Sequence, residues 1–279
     1  MNAHCSQWDL DSSRLPKHVG IIMDGNGRWA TASRLPRVAG HRKGVERVKE
    51  ITELAGNLGI SALTLFAFSD ENWRRPEEEV GALMGLLRWY LRAESERIIK
   101  KNVRFRVIGD RRKLSNDIME QVLALEEDTR NNTGMWLSVA LSYGGRGEIL
   151  RGVRRAVAAV QAGDLFPDDI DEEFFENQLD TAGLPALDML IRTSGEFRIS
   201  NFLLWQAAYA ELFFEAAFWP DFDSARFVHC LKSFASRERR FGLTPEQLSR
   251  EKHVATVAEA PEKSQSHSTS LFKRSAVRK

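Results

Sequence analysis

The segment HVGIIMDGNGRWA, residues 18–30, decides how the chain is read. Val19 to Ile22 is a short continuous apolar run, the pattern of a strand buried on both faces. Met23, Asp24, Gly25, Asn26, Gly27, Arg28 and Trp29 then put an acid, two glycines, an amide, a cation and an indole into one tight loop. Two readings are open at this point. Asp-Gly and Asn-Gly are strong hairpin signals. Gly-x-Gly behind a buried strand equally lets backbone N–H groups approach an anion, and Arg28 adds a fork suited to phosphate oxygens. Asp24 then stands where a metal ligand or general acid/base sits at the end of a strand in an open α/β sheet.

The following chain favours the second reading. Strand-like runs at 18–23, 62–68, 104–109, 136–143, 187–193 and 210–214 are separated by longer amphipathic stretches. Helical spacing is clearest at 42–58, 77–101, 116–130, 148–161 and 224–241, with a shorter helix expected at 172–179. Alternating strands and helices with near-continuous apolar strands imply an α/β fold, a parallel sheet covered on both faces. Gly81 and Gly85 fall inside the 77–101 helix, where each costs about 1 kcal/mol against Ala, so close packing or a kink is expected there.

The 279 residues read as one domain over 15–243, with a polar N-terminal arm at 1–14 and a disordered tail at 244–279. A formal net charge of +1 argues against a nucleic-acid partner. Two cysteines in no metal or disulfide pattern suit a reducing cytoplasm, and no apolar stretch is long enough to span a bilayer. The basic end of the tail leaves room for weak peripheral contact with anionic lipid. GxxxxGK[ST], GxGxxG and a DDxxD pair are absent.

Strand ends of a parallel sheet share one rim, where ligands bind. The loops after strands one, two, four and five bring Arg28, Arg37, Arg75, Arg192 and Arg198 to that rim, beside several glycines. Any single arginine is ordinarily a solvated charge, but several in strand-end loops fit a multiply charged anion, and a diphosphate is the natural candidate. Glu211, at the start of the last strand, needs either a metal or an arginine partner, and spacing does not choose between them. His41 follows Gly40 at a helix start, and Trp29 and Trp73 each follow a polar cluster.

The blocks HVGIIMDGNGRWA (18–30), GH (40–41), ALTLFAFSDENWRRP (62–76), YGGR (143–146), IRTSGEFRISNFLLWQAAYAELFF (191–214) and RERRFG (237–242) closely resemble the cis-prenyltransferases, over roughly 15–243. The resemblance implies a central six-stranded, mostly parallel sheet, a homodimer, and Mg²⁺ as cofactor. It implies sequential addition of isopentenyl diphosphate to farnesyl diphosphate with cis double bonds, giving a long polyprenyl diphosphate. By position, Asp24 looks like the acid engaging Mg²⁺ and diphosphate. Gly25, Asn26, Gly27 and Arg28 look like the allylic diphosphate cradle, with Trp29, Arg37 and His41 as further contacts. Ser69, Asp70, Glu71, Trp73 and Arg75 match a second substrate loop, and Asn72 matches the residue assigned as proton acceptor. Arg192, Arg198, Ile199 and Ser200 look like the isopentenyl diphosphate site, and Glu211 like a Mg²⁺ ligand. Asp70 stands where many members have Ser or Thr, and Phe197 where some have a metal-contacting His. A non-catalytic member of this fold is expected to lose the acid and the cations, and this chain keeps them. The walls of an apolar tunnel are expected from the 77–101 helix and the 62–68 strand, with small Ala67 permitting a long product. A shorter-chain synthase is the alternative.

Overall fold

Six strands form one sheet in the order β3-β4-β2-β1-β5-β6 in a computed structural model that describes residues 3–237. The strands are β1 (His18–Ile22), β2 (Ala62–Ser69), β3 (Arg104–Ile108), β4 (Trp136–Tyr143), β5 (Met189–Arg192) and β6 (Glu211–Phe214). Every pairing is parallel, as the apolar runs required. β1 is buried along its whole length, with β2 and β5 as its neighbours. The helices are α1 (Ala3–Gln7), α2 (Asn26–Ala32), α3 (Arg37–Leu58), α4 (Glu77–Lys100), α5 (Asn116–Asp128), α6 (Gly145–Ala162), α7 (Glu172–Glu176) and α8 (Ser224–Ser236). One apolar cluster includes Val19, Ile21, Leu63, Leu65, Phe105 and Val107 from the sheet, with residues of α3, α4, α5 and α8. A smaller one holds Ile22, Ile108, Tyr143 and Phe202. Alternate residues of the same strands thus feed opposite clusters, the period-two pattern of a sheet covered on both faces.

Several expectations shift. The glycine loop is shorter than its sequence suggests, because Asn26 already begins α2. Gly25 caps that helix at φ 102°, and a Cβ there would lie 2.7 Å from the Phe218 ring. That conformation and that contact require glycine. α3 starts at Arg37, five residues before the apolar periodicity does, on the preset backbone of Pro36. Gly81 and Gly85 neither pack closely nor break α4, since a Cβ at either would meet nothing within 4 Å. The N-terminal arm is anchored: Cys5 is buried and its thiol donates to Leu58 O. The expected tail, and RERRFG beyond Arg237, lie outside the described residues. Among the described residues, no helix is long and apolar enough to cross a membrane.

Two sheet edges differ in kind. Side chains close the β3 edge: Phe105 N–H donates to Thr129 Oγ1, Val107 N–H donates to Glu126, and Arg111 donates to Val107 O. A strand edge so occupied cannot pair with another chain. β6, at the other end, has β5 on one side and no strand on its other among the described residues.

His18 is a buried polar residue in β1, its ring nitrogens 2.9 Å from Pro185 O and 2.8 Å from Thr64 Oγ1. Burial pushes its pKa from 6.5 down to about 4. A depressed imidazole pKa means that the unfolded chain binds more protons between those two values, so stability falls as pH drops from about 6.5 through 4. The loss attributable to His18 should reach about 3 kcal/mol. Urea unfolding of wild type and His18→Gln between pH 7 and 4 checks this. The two should converge as the pH falls, and a difference independent of pH would contradict it.

Candidate active site

The polar loops meet at the carboxyl ends of β1, β2 and β5, at the mouth of a cavity of about 690 Å³. Asp24 stands two residues beyond β1. Thr193, fully buried just after β5, accepts from Asp24 N–H at 3.0 Å and donates to Asp24 O at 2.7 Å, which fixes the acid's backbone. Its carboxylate accepts from Arg192 at 2.8 Å and faces Arg28 at 3.3 Å. Burial works to raise the Asp24 pKa, but the hydrogen bond and charge of Arg192, with Arg28 behind them, hold it below the usual aspartate value. Asp24 is therefore an ionised carboxylate at the cavity mouth.

Arg192 is only 4% exposed. Besides Asp24 it donates to Arg198 O and to Ser200 Oγ, both at 2.6 Å, so it folds the loop after β5 around itself. That loop is strained: Ser194, Ser200 and Asn201 have φ of 83°, 47° and 63°. Glu196 joins the loops after β1 and β5, accepting from Arg28 at 2.8 Å and from Arg198. Asn201 ties in the loop after β4, its backbone O accepting from Gly145 N–H at 2.7 Å and its Oδ1 from Arg146 N–H at 2.9 Å.

On the other side, Arg37 and Arg75 converge on Glu79 at 3.6 and 3.0 Å. His41 lies between them, and burial, with the charges of Arg75 and Arg37, takes its pKa down to about 4, so its imidazole is neutral near pH 7. Asn72 has a defined local task. Its Oδ1 accepts from Ser69 N–H at 3.1 Å, half of a capping box on the turn after β2. Asn72 itself lines the cavity.

Below the polar mouth the cavity is apolar, walled by Val45 and Val48 of α3, Leu83 and Leu87 of α4, and Leu65 and Ala67 of β2. The α4 and β2 walls follow the sequence expectation, while the α3 wall does not appear in it. The register of β2 against β4 slips between Phe66 and Phe68, and Ala67 is the extra residue. By alternation Ala67 falls on the Leu65 side and lines the cavity, and the bulge brings Phe68 back to that same face, in the larger core cluster.

Of the residues expected at the site, Asp24, Gly25, Asn26, Gly27, Arg28, Arg37, His41, Ser69, Glu71, Asn72, Arg75, Arg192 and Ser200 line this cavity. Others stand apart. Trp29 donates to Asp221 at 2.8 Å, and Trp73 packs edge-on against Phe68 and donates to Ser142, so both indoles brace loops. Asp70 pairs with Lys113 at the surface, Ile199 packs against the smaller core cluster, and Arg198 reaches the rim through Glu196. Glu211 is at the wrong end of its strand: it pairs in register with Met189, three residues before the Arg192 level, or about 10 Å down the sheet. It forms an ion pair with Arg237. One chain therefore does not bring Asp24 and Glu211 to one ion, and no group of three metal-binding side chains occurs among the described residues. Thr193, Glu196, Asn201 and Glu79 are the polar residues missing from the sequence-derived set, since each acts on a partner remote in the chain or on the next loop.

A single ionised carboxylate at a cationic mouth still suits Mg²⁺, which typically takes one or two carboxylates and fills its shell with substrate phosphates and water. The family model described as "Putative undecaprenyl diphosphate synthase" matches residues 22–242. The chain is 50% identical over 239 residues to a Vibrio cholerae ditrans,polycis-undecaprenyl-diphosphate synthase ((2E,6E)-farnesyl-diphosphate specific), covering 86% of this chain and 96% of that protein. It is 52% identical over 236 residues to an isoprenyl transferase of Agrobacterium fabrum, covering 85% and 96%. Among solved structures it is similar to lavandulyl diphosphate synthase of Lavandula x intermedia in complex with dimethylallyl diphosphate, with TM-score 0.80 and 37% identity over 82% of this chain and 99% of that one. A probable undecaprenyl diphosphate synthase of Campylobacter jejuni matches with TM-score 0.68 and 35% identity, covering 81% and 98%. The rim of cations around one acid, the apolar cavity beneath it and these likenesses agree: the chain belongs to the prenyltransferase family of undecaprenyl diphosphate synthases.

Proposed function

We propose that this protein condenses isopentenyl diphosphate units sequentially with farnesyl diphosphate, in cis, to give undecaprenyl diphosphate. The observation that carries the reading is the cavity's polarity: a cationic mouth with one acid opens onto an apolar bore. Such a site fits a molecule with a diphosphate head and a hydrocarbon body. Arg28, Arg37 and Arg75, with the Gly25–Gly27 backbone, hold the allylic diphosphate. Arg192, Arg198 and Ser200 hold isopentenyl diphosphate. When the allylic C–O bond breaks, the pair leaves as carbocation and diphosphate, and the guanidiniums stabilise the departing charge. The isopentenyl double bond attacks the cation, and a proton leaves the neighbouring carbon to diphosphate oxygen or water. Asp24 and diphosphate oxygens would hold Mg²⁺, which when bound adds charge stabilisation to the leaving group. Transfer of labelled isopentenyl diphosphate to farnesyl diphosphate, abolished by EDTA, tests the reading, and no transfer with Mg²⁺ present would overturn it.

A neutral amide is a poor base, and the Asn72 oxygen is already engaged with Ser69, so Asn72 acts as a donor to diphosphate. Asn72→Asp keeps the capping oxygen and replaces that donor with a negative charge. Thermal stability should change little while kcat falls by about 10²-fold or more. A kcat rise or parity with wild type would restore the general-base role.

A homodimer through the β6 side of the sheet fits the same reading. β6 is the open edge, and Phe197 and Leu212 at it are 79% and 38% exposed. Sedimentation should give a dimer for wild type and a monomer for Leu212→Glu, and a wild-type monomer at micromolar concentration contradicts the assignment.

A short-chain product is the second reading, favoured by the likeness to lavandulyl diphosphate synthase. Product length separates the two.

A further inference from the structure

A second cavity, of about 400 Å³, lies at the closed β3 edge, across the sheet from β6. It is lined by Arg104 and Arg106 of β3, Trp136 of β4, and Arg111, Glu126 and Asp180. Arg104 and Arg106 are two residues apart and so project from the same face of the strand. Both guanidiniums lie against the Trp136 ring, 4.2 and 4.1 Å from its centroid. One indole thus holds two like charges near each other.

The acids lining this cavity make their hydrogen bonds to other groups. Glu126 is consumed by Arg111, which it binds through both oxygens, and by Val107 N–H. Asp180 accepts from Arg151 and from Gly109 N–H. Arg106 donates only to neutral acceptors, Asp180 O and Ala182 O, both at 3.1 Å. No ion pair involves Arg104 or Arg106 among the described residues. Burial, followed by the neighbouring Arg104, pulls the Arg106 pKa down, against the opposing charges of Glu126 and Asp180. Two partly desolvated guanidiniums at fixed separation are costly to maintain for packing alone and are matched by an anion that presents several oxygens.

We propose that the Arg104–Trp136–Arg106 cavity is an anion site for a small soluble phosphoryl compound, with diphosphate the best-fitting head. The site is separate from the catalytic rim: none of its lining residues belongs to the other cavity. Its position at the β3 edge also leaves it open in a dimer formed through β6.

The test reads Trp136 directly. Its indole ¹⁵N–H resonance, assigned by Trp136→Phe, is followed while inorganic diphosphate, inorganic phosphate or NaCl at matched ionic strength is added to the whole protein. Diphosphate should move the resonance saturably, phosphate more weakly, and NaCl without saturation. The diphosphate shift should persist in Arg28→Gln, where the catalytic rim is weakened. It should require about tenfold more diphosphate, or vanish, in Arg104→Gln, and Arg104→Lys should fall between. A Trp136 response to diphosphate no different from that to NaCl overturns the proposal without any variant. So does a saturable shift that is unchanged in Arg104→Gln.

Discussion

Asp24→Asn should lower kcat/KM by about 10³-fold or more while leaving the fold intact. The substitution keeps an oxygen able to accept from Arg192, so the loop geometry set by Thr193 and Arg192 survives. What it removes is the negative charge, and with it the carboxylate that would share Mg²⁺ with diphosphate. It also leaves Arg192, 4% exposed, with neutral acceptors only. Stability should therefore fall by about 1–3 kcal/mol, the penalty for an under-compensated buried cation. Steady-state transfer kinetics with circular dichroism and urea unfolding separate the two effects. A variant retaining more than a tenth of wild-type turnover would remove Asp24 from the chemistry.

Ala67→Leu should shorten the product. Ala67 lines the apolar bore together with Leu83 and Leu87 of α4. Leucine there adds a branched group where a growing isoprenoid must pass, and a packed wall yields little to added bulk. The first condensations occur near the rim and should proceed at near-normal rate, so the effect belongs to chain length and not to initiation. Chromatography of the reaction products should show shorter chains dominating, and an unaltered distribution would mean that the bore takes another course.

The sheet was largely legible in the sequence because its strands are buried on both faces and so read as unbroken apolar runs. Five observed strands fall within their expected segments, and β2 runs one residue past its segment, to Ser69. The glycine loop was harder. Asp-Gly and Asn-Gly signal a turn, and nothing local announces a seven-residue helix beginning at Asn26 after a left-handed Gly25. Gly81 and Gly85 show the converse limit, since a glycine's cost is visible in sequence but its neighbours are not. At the site, the arginine-bearing loops were readable as an anion site because strand ends share a rim. The pairing that defines the site, Asp24 with Arg192 across 168 positions, arises only when β1 and β5 become neighbours. Trp29 and Trp73 looked like ligand contacts because they flank polar clusters, yet their N–H groups serve Asp221 and Ser142. Glu211 looked like a partner for Asp24, but its position at the start of a strand sends it to the far end of a parallel sheet.

The central claim is that one cavity binds a diphosphate head at a cationic mouth and extends its hydrocarbon in an apolar bore. The measurement that meets it most directly is the mass of the product formed from farnesyl diphosphate, excess isopentenyl diphosphate and Mg²⁺. The account predicts that undecaprenyl diphosphate predominates. Failure to extend farnesyl diphosphate, or arrest after a single addition, would contradict it.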